Sequence, residues 1–281
     1  MSKLALLNGE KAVKLDAGKA RMPLVSEEAI AKAAELMRKG EISTSPVVGE
    51  FEKKFADYLG VKYALAVNSG TNAIHEALFA IGTSPGDEII VPSFTWIFTA
   101  APIIASHGIP VFCDVDIDTH CIDPEDIKRK ITPRTKAILL VHIWGNPANM
   151  DEIMKIAADN DIRVIEDCAH AHGTIWKGRM AGSIGDAGCY SLQGSKTLAA
   201  GEGGVFVTND RECYERAVAM GHYERVRGLP ADSPYRKYTT SMGYKHRVHP
   251  LGIDIVNTEM EHLDERNAQR KENGEYLEKG I

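Results

Sequence analysis

Residues 63–82 read YALAVNSGTNAIHEALFAIG. A short apolar run ends in Asn68, Ser69 and Gly70. The residues after that turn place their apolar side chains at helical spacing. The stretch therefore predicts a strand, a tight polar turn and a helix in succession. The same texture repeats downstream. DEIIVPS precedes TWIFTAAPIIASHG, PVFCDVD precedes DPEDIKRKI, TKAILLVHIWG precedes NMDEIMKIAADND, and IRVIEDCAHA follows. Short apolar runs alternating with helices predict an α/β fold, a mostly parallel sheet with helices on both faces.

Two further helices are expected upstream. SEEAIAKAAELMRKG has Ser26 as a candidate N-cap, Glu27 and Glu28 for the first turn, and Gly40 for the end. VVGEFEKKFADYLG sets Phe51, Phe55, Tyr58 and Leu59 on one face and closes at Gly60. The large domain is expected over residues 1–245. The charged, helical segment 246–281 is expected to begin a second, smaller domain.

Bulk properties exclude several classes. With 281 residues the chain can form one large α/β domain, with or without a small appendage. A net charge of −6 and no basic stripe argue against nucleic acid as a partner. The five cysteines form no CxxC pair, which suits reduced thiols in a cytoplasmic protein better than a disulfide framework or a zinc site. The opening MSKLALLNGEKAVK has too short an apolar run for a signal peptide. No apolar segment approaches the ~20 residues of a membrane span.

In such a fold, ligands bind at the carboxyl ends of the strands. The segments to inspect are therefore NSGT (68–71), SFTW (93–96), HIWGN (142–146), EDCAHAHG (166–173) and SLQGSK (191–196). Gly70 and Thr71 sit at a strand-to-helix turn, where free amides and a hydroxyl suit a phosphate, although a plain capped turn has the same sequence. A nucleotide triphosphate is not indicated. The nearest Walker-like string, GTIWKGRM, has Arg179 and Met180 where lysine and a hydroxyl belong. Trp96 is either core or a stacking face for a planar ligand. Asp167 ends a strand expected to be central, as a turn cap or as a partner for a cationic nitrogen. A metal site from Asp167, His170 and His172 lacks further ligands of the right kind, and none is expected. Lys196 lies between a small polar run and a glycine-rich stretch, where a solvated lysine is the simplest account.

One cofactor needs a phosphate turn, an aromatic face, a strand-end carboxylate and a lysine together. Pyridoxal phosphate has a phosphate, a flat ring, a ring nitrogen that must keep its proton, and an aldehyde that condenses with lysine. A lysine released by an incoming amine is also a base within reach of the substrate carbon.

The segments NSGTNAIHEAL, VPSFTWIFTAAPI, VFCDVD, VHIWGNPANMDEI, VIEDCAHAHG and SLQGSKTLAAGEGGVFVTND occur in this order over about residues 20–270. Together they resemble the DegT/DnrJ/EryC1/StrS sugar aminotransferases of the type I pyridoxal-phosphate fold. The resemblance implies Lys196 as the Schiff-base lysine and Asp167 as the partner of the pyridine nitrogen. It implies His170 near the ring hydroxyl, Trp96 as the stacking aromatic, and Gly70, Thr71 and Ser191 around the phosphate.

It also implies transfer of an amino group from glutamate or glutamine to a keto-sugar, nucleotide-linked in most of the family, with a keto-inositol acceptor as the alternative. Members with histidine at the position of Lys196 are dehydratases, so lysine favours transamination. A homodimer with shared active sites is expected. Two departures stand out. By the resemblance, the chain is expected to end before the family's smaller C-terminal domain is complete. In addition, GYKHR (243–247) carries Lys245 where the family has an asparagine that reaches the neighbouring subunit's cofactor phosphate. A lysine can serve a phosphate as a point charge, and a solvated lysine is the competing account. A protein that keeps the cofactor fold for binding or regulation without turnover is the rival reading; intact Lys196 and Asp167 speak against it.

Overall fold

A computed structural model describes Gly9, residues 25–240 and residues 242–280. The opening segment MSKLALLNGEKAVK lies outside the described residues, apart from Gly9. The two upstream helices form as their end signals predict. In α1 (Glu27–Lys39) the Ser26 Oγ accepts a hydrogen bond from the Ala29 amide at 3.2 Å, and Gly40 closes the helix in the left-handed region at φ 74°. In α2 (Val47–Leu59) Gly60 does the same at φ 69°.

The alternating part follows. β1 (Tyr63–Val67) leads into α3 (Gly70–Ala80), β2 (Glu88–Pro92) into α4 (Ile97–Ala105), and β3 (Ile109–Cys113) into α5 (Pro124–Lys130). β4 (Thr135–Val141) and α6 (Met150–Asp159) come next, then β5 (Arg163–Asp167). A small hairpin of β6 (Ile175–Trp176) and β7 (Arg179–Met180) interrupts the alternation. β8 (Ala187–Ser191) and β9 (Gly204–Thr208) follow, then α7 (Arg211–Gly221), α8 (Tyr223–Val226), α9 (Pro250–Glu259) and α10 (Leu263–Glu278).

Among the described residues, seven strands form one sheet in the order β1-β9-β8-β5-β4-β2-β3. β9 runs antiparallel to both its neighbours, and the other pairings are parallel. The sheet is mostly parallel with helices on both faces, as expected. Successive strand residues face opposite sides, and both sides are apolar. Leu65, Ile89, Val91, Ile165 and Phe206 pack with α3, α4 and α7. Ala64, Ala66, Val205 and Val207 pack with α2 and α9. Ile90, Ile138, Leu140 and Val164 pack with α5 and α6. Each fully buried Leu, Ile, Val or Phe among them contributes about 1.5–3 kcal/mol.

The chain runs from β1 at one edge to β2, then to the far edge at β3, and returns to β4 on the other side of β2. That reversal is a topological switch point, where the sheet leaves a crevice at the carboxyl ends of its strands. Past residue 245, α9 buries Ile253 and Val256 in the same cluster as Phe51 and Val205. In α10 only Leu263 is buried among the described residues. Among the described residues, no helix is long and apolar enough to cross a membrane. All five cysteines are buried and unpaired.

Candidate active site

The strand register brings the carboxyl ends into line. Val141 of β4 pairs with Asp167 of β5, which pairs with Cys189 of β8. Gly204 pairs with both Ser191 and Val67. A cavity of about 730 Å³ opens over these ends. Gly70, Thr71, Trp96, Asp167, His170, Ser191 and Lys196 all line it. Seven of the eight positions singled out from the sequence thus meet in one place. Lys245, the eighth, is exposed and does not line this cavity.

The phosphate-turn candidate is built by close packing. The Ser69 Oγ accepts a hydrogen bond from the Asn72 amide at 3.1 Å and starts α3. The first amides of a helix have no intrahelical acceptor, so Gly70 and Thr71 open the helix towards the cavity with donors to offer. A Cβ on Gly70 would lie 2.8 Å from the Ser191 Cβ, and one on Gly204 would collide with the Ser69 carbonyl oxygen. Glycine at both positions lets the start of α3 lie against the ends of β8 and β9.

Asp167 is buried at the cavity floor. Its Oδ2 accepts from the Thr99 hydroxyl at 2.8 Å and its Oδ1 from the Ala169 amide at 3.0 Å. Thr99 is in turn 2.8 Å from the Thr95 hydroxyl. The residue therefore caps its turn and still faces the cavity. Burial pushes its carboxyl above the ordinary range, against the Ala169 and Thr99 hydrogen bonds and the charge of Lys196. A carboxylate has room for about four hydrogen bonds, so Asp167 can accept another donor, and a cationic one would relieve its desolvation.

Lys196 is half-buried in the loop between β8 and β9. Its amide donates to the Gln193 carbonyl at 2.8 Å, and the Gln193 Oε1 accepts from the Ser195 amide at 2.8 Å. Burial lowers the ammonium pKa, with Asp167 opposing, which enlarges the free-amine fraction. The His170 Nδ1 accepts from the Trp144 amide at 3.3 Å, which leaves the proton of the neutral ring on Nε2. Burial and then the Lys196 charge depress the His170 pKa, with Asp167 opposing.

The core reading of Trp96 does not hold. It sits at the N-cap of α4 and is 67% exposed at the cavity wall, because the helix begins one residue later. Sequence reading missed Thr99 and Trp144, both of which line the cavity. Thr99 stands one turn after Thr95 in SFTWIFT, which is the signal that could have found it. Trp144 is in the left-handed region (φ 53°, ψ 19°) and 66% exposed, which its sequence context HIWGN does not announce.

Among the described residues, Asp167, His170 and His172 do not bring their ligand atoms together. The group that does so is His142, Glu166 and Cys168, all buried. Hydrogen bonds already engage it. Glu166 accepts from the amides of Gly182, Ile184 and Gly185 and pairs with the His142 Nε2 at 2.9 Å. The His142 Nδ1 accepts from the Ala148 amide at 3.1 Å, so Nε2 carries the proton given to Glu166. Burial pushes Glu166 up, but the His142 hydrogen bond and the backbone donors outweigh it and hold it below the ordinary range.

Similar proteins fit this geometry. The GDP-perosamine synthase of Caulobacter vibrioides is 40% identical over 82% of this chain and 60% of its own length. The L-glutamine:2-deoxy-scyllo-inosose aminotransferase of Streptomyces fradiae is 35% identical over 88% of this chain and 61% of its own. A solved structure of the E. coli GDP-4-keto-6-deoxy-D-mannose-3-dehydratase with bound hydrated PLP superposes with a TM-score of 0.82 at 30% identity, covering 91% of this chain and 71% of that one. Several curated relatives are longer, and the chain spans between 54% and 66% of their length. The mostly parallel sheet with its helices is shared with solved PLP-dependent aminotransferases of the type I fold. Residues 23–281 match the sequence pattern of one family, and the chain belongs to it: the DegT/DnrJ/EryC1/StrS aminotransferase family.

Proposed function

We propose that this chain carries the cofactor site of a pyridoxal-phosphate aminotransferase that moves an amino group from glutamate or glutamine to a keto-sugar. One observation carries the reading: Lys196, Asp167 and the start of α3 converge on a single cavity. The residues suit the cofactor. Asp167 is a desolvated carboxylate with accepting capacity left, and Gly70 keeps side-chain bulk away from the helix start.

When bound, the cofactor supplies an aldehyde that condenses with an amine and a ring that takes up carbanion electrons. The chain's residues do the rest. Lys196 would offer the amine that holds the aldehyde, and as a free amine would be a base within reach of the proton on the substrate carbon. Asp167, steadied by Thr99 and the Ala169 amide, would keep a proton on a cationic ring nitrogen. Neutral His170 donates from Nε2 to an oxygen in the cavity. Gly70, Thr71 and Ser191 would hold the phosphate by amides and a hydroxyl, and Trp96 would offer a face to the ring.

A nucleotide-linked keto-sugar is the first acceptor to test, and the similarity to an inosose aminotransferase favours a keto-inositol as the second. Lys196 argues against a dehydratase. We further propose a homodimer with shared sites, in which Lys245 serves the partner. Its exposure outside its own chain's cavity suits that role. Buried, unpaired thiols suit a reducing cytoplasm. The test is amino-group exchange between nitrogen-labelled glutamate and 2-oxoglutarate, with pyridoxal phosphate present and no acceptor. Exchange supports transamination. Cofactor binding without exchange, with glutamine as donor too, supports the binding or regulatory reading instead.

A further inference from the structure

A buried cluster outside the cavity joins the segment around residue 246 to helix α3. Glu76 is fully buried on α3, and its Oε1 lies 3.0 Å from the His222 Nε2 and 3.0 Å from the His246 Nδ1. Its Oε2 is buried with no hydrogen-bond partner among the described residues. Burial alone would raise the Glu76 pKa; the charges and hydrogen bonds of His222 and His246 outweigh it and hold the carboxyl below the ordinary range. A buried carboxylate on an otherwise apolar helix face is costly unless it is paired in this way.

His246 also binds by its backbone. Its carbonyl accepts from the Asn68 amide at 2.8 Å, and its amide donates to the Gly221 carbonyl at 3.1 Å. A Cβ on Gly221 would lie 2.9 Å from both the Glu76 Oε1 and the His246 Cβ, so glycine there permits the close approach. Arg247 bridges to Val67, the last residue of β1. The Tyr244 ring stands edge-on to His75, with centroids 5.2 Å apart. His246 therefore grips the chain on both sides of Gly70 and Thr71. Its carbonyl holds Asn68 just before the turn, and its ring holds Glu76 farther along the same helix.

We propose that His246, anchored on Glu76 and His222, is a positioning residue for the phosphate turn at the start of α3. It fixes the distance and angle between the end of β1 and the helix, and so the direction of the turn's amides. The proposal rests on the reading of that turn as the phosphate site given above.

The test compares pyridoxal phosphate with pyridoxal, which lacks only the phosphate, as ligands of the purified chain and of His246→Phe, His246→Asn and Glu76→Gln. His246→Phe is expected to weaken pyridoxal phosphate about tenfold, the equivalent of one good hydrogen bond, and to leave pyridoxal unchanged. His246→Asn, which keeps a side-chain donor, is expected to recover most of the loss. Equal weakening of both ligands, or no weakening of either, would overturn the proposal. If His246→Phe loses its far-ultraviolet circular dichroism, the near-isosteric Glu76→Gln gives the same readout. A wild-type chain that does not prefer pyridoxal phosphate to pyridoxal would defeat the phosphate-turn reading itself. A wild-type preference that survives in the variants would defeat only the role of His246.

Discussion

Glu166 and Asp167 are neighbours on β5, both buried, and their surroundings could hardly differ more. A strand turns successive side chains to opposite faces. Glu166 lies on the side of Val164, where three backbone amides and His142 meet it. Asp167 lies on the side of Ile165, where one amide and one hydroxyl meet it and a cavity opens beside it. Glu166 is held below the ordinary carboxyl range and Asp167 above it. Burial of a carboxylate is therefore a poor mark of function by itself. The informative quantity is how completely its hydrogen-bonding capacity is met. Glu166 ties β4 and β5 to the loop at 182–185, and its work is structural. Asp167 is left short of partners, and on the proposed function its work is to receive one.

Substitutions at these two positions should part company. Asp167→Asn is expected to lower amino-group exchange by about 10²–10³-fold, since it removes a charge placed for a developing or bound cation. Its thermal midpoint should stay level or rise, because a desolvated charge is gone. Glu166→Gln is expected to cost about 3 kcal/mol in urea unfolding, since it leaves a buried network short of an acceptor. Exchange per folded molecule should persist. Activity and stability lost together in both variants would collapse the distinction.

Acid and base titration sharpen the same contrast. Glu166 has its folded pKa below the ordinary 4.5, so the folded state holds fewer protons than the unfolded chain in that window. Its stabilising contribution is complete above about 4.5 and is lost as pH falls through the lower folded value. Asp167 runs the other way. Its folded pKa lies above 3.8, so stability of the cofactor-free protein falls as pH rises from 3.8 through the raised value. Urea midpoints measured across this range should show a shallower acid limb in Glu166→Gln and a shallower upper limb in Asp167→Asn than in the wild type. Identical profiles in the two variants would contradict the assignment.

The smallest effect is expected at the support of Asp167. Thr99→Ala should reduce exchange by up to about tenfold, the loss of one charge-assisted hydrogen bond, with Thr99→Ser close to wild type. A Thr99→Ala chain as active as wild type would show that Asp167 needs no such support.

The sequence made much of this legible, and the limits have physical reasons. Ser26, Gly40 and Gly60 announce helix ends because their chemistry is local. The strand ends at Gly70, Asp167, Ser191 and Lys196 were visible because polar residues closing apolar runs stand out. The partners of Glu166 were not, since His142 and the amides of Gly182, Ile184 and Gly185 come to it only through the fold. The antiparallel direction of β9 was hidden for a related reason: the loop carrying Lys196 is long enough for either sense. The β6–β7 hairpin was missed because Lys177, in the left-handed region at φ 47°, occupies a turn position usually given to asparagine or glycine. Trp96 was weighed as core because exposed tryptophan is uncommon. Its exposure follows from a helix start one residue beyond it.

On the proposed function, the cavity holds an aldehyde on Lys196. The direct measurement is to incubate the purified chain with pyridoxal phosphate, reduce with borohydride and map the modified peptide. A single label on Lys196, absent from Lys196→Ala, is the predicted result. No label, or label spread over surface lysines, would contradict it.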